Sequence, residues 1–266
     1  MSKKVRIARA ALHYGEEPCL SGERGSGAIF FSGCTLRCVF CQNYQVSHGL
    51  VGKDVDSSRL AEIFRELTQA GAHNINLVTG DHYAAAIIEA LAIYRPPIPL
   101  VWNSSGYVGT QTIAQLAKFI DIFLPDLKFS DAQIAAKYSG HRDYFQRAAA
   151  AVALMRRYSG PAQFDQDGMM LKGTLVRHLI LPAAVENSCR IIDFMATLPP
   201  HTPVSIMAQY VPCGDLENFP ELQRKITKKE HQQVLDYLFR TDLDGWVQER
   251  ESADAAYIPL FDYSGV

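Results

Sequence analysis

Three cysteines, Cys34, Cys38 and Cys41, fall within eight residues. Thiolates are soft ligands that select iron–sulfur clusters, zinc or cuprous copper. Spacings of four and three residues let one compact loop turn three sulfurs toward a single centre. Zinc needs a fourth ligand, and His48 stands seven residues beyond Cys41 to complete a Cys3His knuckle, a structural or binding module. A four-iron cluster usually takes four cysteines. Here Cys19, Cys189 and Cys213 are scattered; they could supply a fourth only by chance of folding, and they read as small buried hydrophobes or incidental thiols. Three ligands on a four-iron cluster would leave one iron open. The loop follows an apolar run, Ala28-Ile-Phe-Phe, has glycine before its first cysteine and Phe40 before its last, and this setting favours the cluster over the knuckle.

Further polar residues interrupt other apolar runs. Asn74-Ile-Asn-Leu-Val runs into Thr79-Gly80-Asp81-His82, and Ile98-Pro-Leu-Val-Trp into Asn103-Ser-Ser105-Gly. Asp121-Ile-Phe-Leu leads to Asp126 and Lys128, and Val204-Ser-Ile-Met-Ala to Gln209-Tyr210, while Gly173-Thr-Leu-Val-Arg-His-Leu-Ile-Leu reads as an unbroken strand. Taken singly these are weak signals. Asn-Ser-Ser-Gly is a common turn, Asp126 and Lys128 suit an exposed ion pair, His82 suits a hydrogen-bonded loop and His178 a packed strand. Together they put polar groups at the C-terminal ends of successive strands, where parallel α/β folds build their sites.

The elements that must position them are legible in the periodicity. Leu60, Ile63, Phe64 and Leu67 mark one face of a helix over 58–71, which Gly71 ends. Helices are also predicted near 84–94, 113–120, 132–138, 143–157, 189–198 and 227–240, with a short last strand at Trp246-Val-Gln. Strand–helix alternation implies a parallel sheet with right-handed crossovers, either an open partial barrel or a doubly wound sheet. Residues 1–24 are expected to be an N-terminal extension, and 25–266 one domain with a C-terminal segment after about 210.

With 48% hydrophobic and 20% charged residues the chain has the composition of a globular protein with a sizeable core. A net charge of −2 gives no basic excess for nucleic acid. No apolar run approaches the roughly 20 residues of a membrane span, and Met1-Ser-Lys-Lys-Val-Arg opens no signal peptide. The expected location is the cytoplasm.

Cys34-x3-Cys38-x2-Cys41 with Phe40 resembles the signature of the radical S-adenosylmethionine (SAM) superfamily. Cys41-Gln-Asn43 is similar to a run in pyruvate formate-lyase activating enzymes. More narrowly, Phe31-Ser-Gly-Cys, Asn74-Ile-Asn-Leu-Val-Thr, Trp102-Asn-Ser-Ser-Gly-Tyr, Phe123-Leu-Pro-Asp-Leu-Lys and Val176-Arg-His-Leu-Ile-Leu-Pro resemble a group of activating-enzyme homologues called PflX-like. The resemblance implies a partial (β/α)6 TIM-like barrel carrying a [4Fe–4S] cluster on the three cysteines. SAM would be chelated at the open iron and reductively cleaved to a 5′-deoxyadenosyl radical that takes hydrogen from a substrate. Thr79-Gly80 stands where the family's glycine-rich motif meets the methionine amino group, with Asp81 in place of its carboxylate. Asn103 and Ser105 match the ribose region, and Asp126, Lys128 and Arg177 match the region near the methionine carboxylate. The implied partners are an electron donor such as flavodoxin or ferredoxin and a protein or peptide substrate, with glycyl-radical activation foremost. Peptide modification and small-molecule rearrangement use the same front-end chemistry. Gln209, Tyr210 and Trp246 are the candidates for lining the substrate entry.

Overall fold

The computed structural model describes residues 4–250, 253 and 259–266. The chain opens with strand β1 (Val5–His13) and a single helical turn α1 (Pro18–Ser21), then enters β2 (Ser26–Phe31). After the cysteine loop come α2 (Tyr44–Ser47), β3 (Lys53–Val55) and α3 (Ser57–Gln69). Asp56 caps α3 by accepting from the Arg59 N–H at 2.9 Å, and the face Leu60, Ile63, Phe64 and Leu67 is buried against the sheet. Alternation then settles in: β4 (Ile75–Val78), α4 (Ala84–Ile93), β5 (Leu100–Ser104), α5 (Thr110–Leu116) and β6 (Ile122–Pro125). Two helices follow, α6 (Ala132–Ser139) and α7 (Tyr144–Ser159). The remainder is β7 (Gln163–Phe164), β8 (Met170–Thr174), β9 (Val176–Leu179), α8 (Val185–Ala196), β10 (Val204–Met207), α9 (Lys228–Leu238) and β11 (Gly245–Val247). A reciprocal Thr227–Glu230 capping box starts α9.

Strands β2, β4, β5 and β6 pair in parallel in that order, and β6 continues onto β8 through Gly173 and Thr174. An isolated bridge between Asp126 and Arg177 carries the wall onto β9, which pairs in parallel with β10, and β10 with β11. At the other edge β1 lies antiparallel to β2 and β3 antiparallel to β1. Among the described residues no ladder joins β11 to β3, so the curved wall is a partial barrel. The doubly wound alternative does not describe this strand order.

Within the segment 1–24 that the sequence sets apart as an extension, residues 5–21 lie against the wall. Val5–His13 add a strand beside β2. Cys19 and Leu20 of α1 pack inside the barrel on Val101, Ile122, Leu124 and Leu175. The Asn74 side chain donates to the Leu20 carbonyl at 2.8 Å and holds the turn in place. Burying a leucine this completely contributes about 1.5–3 kcal/mol. No helix among the described residues is long and apolar enough to cross a membrane.

Candidate cofactor site

Two buried side chains anchor the cysteine loop. Leu36 is fully buried, and Phe40 packs edge-to-face on Phe129 and Tyr138 at 6.0 Å and on Tyr210 at 6.1 Å. Gly33, at φ +92°, passes so close to His82 that a Cβ would lie 3.1 Å from its Nε2, and His82 in turn bonds the Ser32 carbonyl at 2.9 Å. With the loop pinned this way, Cys34, Cys38 and Cys41 line one cavity at the C-terminal mouth of the barrel. Burial pushes the Cys34 and Cys38 thiols up, and Lys128 opposes that push at Cys38. Donors of this kind suit a soft metal that displaces their protons.

His48 does not complete a zinc knuckle. Its ring stacks on Tyr44 at 3.9 Å and its Nδ1 lies 3.1 Å from both the Ser47 hydroxyl and the Tyr44 carbonyl. Among the described residues no three His, Cys, Asp or Glu side chains converge on a single-ion site. A cluster makes no such demand, since it distributes its ligands over several irons.

The opposite wall is a charge network. Arg177 on β9 donates from Nε to Asp126 Oδ1 at 2.8 Å and from Nη2 to Asn103 Oδ1 at 2.7 Å. Its Nη1 donates to Glu16 Oε2 at 2.9 Å and lies 3.6 Å from Glu17 Oε2. Lys128 Nζ reaches the other Asp126 oxygen at 2.5 Å. Burial alone would raise the Asp126 carboxyl, but Arg177 and Lys128 outweigh it and hold the group below its usual range. Glu17 goes the other way: burial raises its carboxyl despite the pull of Arg177.

Behind this network Tyr144, fully buried on α7, ties two strand ends together. Its hydroxyl accepts from the Lys128 N–H at 2.9 Å and lies 2.9 Å from the Ser105 carbonyl and 2.8 Å from that of Asp126. Gly106 makes the approach possible, because at φ +78° its backbone comes so near that a Cβ would sit 2.3 Å from the Asp126 oxygen.

Of the residues singled out in the sequence, Phe40, Asn43, Thr79, Asn103, Ser105, Asp126, Lys128 and Arg177 line this cavity with the three cysteines. Thr79 is held at φ +60°, a left-handed conformation a threonine adopts only under constraint, and its N–H donates to the Asn103 carbonyl at 2.8 Å. Asn43 Oδ1 is buried with no partner among the described residues. Gly80 and Asp81 are not brought to the cavity lining. A Cβ on Gly80 would meet Ile87 at 2.9 Å, so this glycine serves packing. Asp81 turns behind the wall to accept from the Trp102 indole N–H at 2.9 Å. Burial pushes its carboxyl up to about 6, against the pull of that hydrogen bond.

Gln209 and Tyr210 line the mouth as expected. Trp246 does not; it sits beside Phe164, 6.2 Å between ring centroids, next to the segment that leads into β10. His178 is a packed strand residue, bonded to the Leu127 carbonyl and the Ser188 hydroxyl. Glu16, Glu17 and Cys213 also line the cavity; no motif marks the two glutamates, and spacing alone does not bring Cys213 to the other cysteines. Burial, with Cys41 close by, pushes the Cys213 thiol up to about 11.

The family model described as the Radical SAM superfamily matches residues 28–172, which is more than half of the chain. An uncharacterized protein of Methanocaldococcus jannaschii is 27% identical over 242 residues, spanning 88% of this chain and 67% of that protein. Among solved structures, methylornithine synthase (PylB) superposes with a TM-score of 0.56 at 18% identity, covering 90% of this chain and 67% of that one. QueE from Escherichia coli gives 0.52 at 7% identity, covering 92% and 94%. At these identities the two structures show a shared fold. Since differently named proteins share it, the likeness does not single out the narrower activating-enzyme group. Family and fold agree with the thiol-lined mouth: the chain is an enzyme of the radical SAM superfamily, whose members use a [4Fe–4S] cluster and SAM.

Proposed function

We propose that Cys34, Cys38 and Cys41 hold the cluster and that the enzyme removes hydrogen from a protein or peptide partner, foremost from a backbone glycine. When bound, cluster and SAM together supply the electron and the carbon radical for that abstraction. The chain's own residues bind and orient. Asn103 and Ser105 offer short polar groups to ribose hydroxyls. Asp126, Lys128 and Arg177 form a fixed charge array for the methionine end, and the strained Thr79 and Asn43 line the same space. Phe40 fixes the loop, while Gly80 and Asp81 act from behind as supports. A flavodoxin or ferredoxin is the proposed electron donor.

The observation that carries the substrate reading is the character of the cavity's open edge. Charged side chains gather just after β6, at Arg177 of β9 and on the N-terminal arm, whereas Leu179 at the end of β9 and Met207, Gln209, Tyr210, Val211 and Gln248, toward β10 and β11, are all neutral. A neutral wall with carboxamides at the open side of a partial barrel suits peptide backbone better than an anionic metabolite.

Anaerobic reconstitution should give about four irons per chain, lost when Cys34, Cys38 or Cys41 becomes alanine. The loaded enzyme, given dithionite and SAM, should release 5′-deoxyadenosine slowly on its own. Cell proteins labelled with deuterated glycine should then transfer deuterium into 5′-deoxyadenosine and leave an organic radical signal. Deuterium arriving only from the fraction that passes an ultrafilter would overturn the protein reading in favour of a metabolite.

A further inference from the structure

Four of the chain's six cysteines, not three, line the cavity at the barrel mouth. Cys19 is sealed inside the barrel by α1, and Cys189 lies on α8 away from the cavity lining. Cys213 reaches the mouth because the segment leaving β10 is latched to the cysteine loop. The Asp215 N–H donates to the Val39 carbonyl at 3.0 Å, and the Cys213 thiol lies 3.5 Å from the Phe40 carbonyl. Between them Gly214, at φ +87°, brings the two backbones so close that a Cβ would sit 2.2 Å from the Val39 oxygen. The start of the segment is fixed as well, by Tyr210, whose hydroxyl donates to the Leu222 carbonyl at 2.7 Å.

The space that Cys213 shares is one that asks for ligands. Cys38, only 6% exposed, lines it. Asn43 lines it too, and its buried Oδ1 has no partner among the described residues. Four-iron clusters ordinarily take four thiolates, and a cavity with an exposed mouth leaves a three-thiolate cluster with one iron open to solvent.

We propose that Cys213 is the resting fourth ligand of the cluster: it caps the open iron before SAM arrives and yields that position to SAM. This rests on the cluster being held by Cys34, Cys38 and Cys41. The step is a ligand exchange without electron transfer. The thiol gives up its proton as the iron–sulfur bond forms, and takes one back when that bond breaks in favour of the SAM amino and carboxylate groups. The segment after β10, which also carries Gln209 and Tyr210, thereby links the state of the cluster to the substrate side of the mouth.

Mössbauer spectroscopy of protein reconstituted with iron-57 tests this without turnover. Without SAM, the wild type should show four like irons and Cys213→Ala a three-to-one pattern; with SAM, both should show three to one. Alkylation of the wild-type holoprotein by iodoacetamide, followed by peptide mass analysis, gives a second reading that needs no variant. Cys213 should be protected without SAM and modified at least several-fold more when SAM is saturating. A three-to-one pattern in the SAM-free wild type, or equal alkylation of Cys213 with and without SAM, would overturn the proposal. Wild-type protein that takes up no iron would instead sink the cluster assignment beneath it.

Discussion

Arg177 Nη1 donates to Glu16 Oε2 at 2.9 Å, joining strand β9 to the N-terminal arm across 161 positions of sequence. The same guanidinium holds Asp126 and Asn103, so one side chain ties together three parts of the cofactor mouth. The surroundings make this consequential, because Arg177 is 9% exposed and Glu17 4%. Three carboxylates, those of Glu16, Glu17 and Asp126, face two cations, Arg177 and Lys128. Such a group is stable only while its members compensate one another.

Removing the central cation should therefore cost far more than removing one carboxylate. Arg177→Met is expected to lower stability by about 3–5 kcal/mol, because it strands buried carboxylates. Glu16→Gln keeps a hydrogen-bonding oxygen and should cost about 1–2 kcal/mol. Both proteins should keep their iron-binding capacity, because the thiols stand on the other wall, and both should bind SAM more weakly. Urea unfolding with unchanged slope, together with iron analysis, checks this; equal midpoints for the two variants would refute the ranking.

Asp81 predicts a pH effect of unusual sign. Its carboxyl, raised by burial to about 6 from 3.8, holds a proton between about pH 4 and 6 that the unfolded chain has already lost. Stability from this group is present below pH 4 and is lost as the pH rises to about 6. Burial pushes His178 the opposite way, down to about 4, so its contribution grows with pH from about 4 to 6.5 and masks the first effect in the wild type. Asp81→Asn keeps an acceptor for Trp102 and carries no charge. Matched unfolding curves should show the variant equal to wild type at pH 4 and more stable by up to about 3 kcal/mol at pH 7. A constant difference across that range would show that Asp81 is ionised in the fold throughout.

Much of the wall and part of the site were legible in the sequence, for physical reasons that also explain the omissions. Strand-end positions such as Asn103 and Asp126 announce themselves, since a polar residue ending a buried apolar run needs a reason to be there. Glu16 and Glu17 do not. They precede a one-turn helix too short for periodicity, and β1 beside them carries Arg6, Arg9 and His13 in a run otherwise apolar. Asp81 misled because adjacency to Thr79 says nothing about which face of the wall a side chain takes. Cys213 contacts the cysteine loop across 173 residues through a loop closure that no local pattern encodes.

Gly106 and Gly140 offer a controlled comparison, with φ of +78° and +80°. Alanine at Gly140 would meet nothing within 4 Å, so its cost is the left-handed backbone alone, about 1 kcal/mol. At Gly106 the added Cβ also collides with the Asp126 carbonyl and must push β5 and β6 apart. Gly106→Ala should thus cost at least about 2 kcal/mol more than Gly140→Ala. It should weaken SAM binding, whereas Gly140→Ala should leave it unchanged. Equal thermal midpoints would mean that the two strand ends are not in the close contact described.

The last prediction isolates the hydroxyl beneath the charge network. The Tyr144 ring is packed on Phe129 at 5.1 Å, so Tyr144→Phe preserves the packing and removes only the oxygen. The loss orphans the Lys128 N–H, and takes from the Ser105 and Asp126 carbonyls the single proton they share. Each buried group left unpaired costs about 1–3 kcal/mol, and the variant should lose about 2–4 kcal/mol in all. The loop ends carrying Ser105, Asp126 and Lys128 would then relax independently, so SAM affinity should fall about tenfold or more while iron uptake stays at the wild-type level. Calorimetric titration of the reconstituted variant with SAM, beside iron analysis, separates this from general unfolding. Wild-type affinity in a variant that is measurably less stable would confine Tyr144 to the fold and remove it from cofactor positioning.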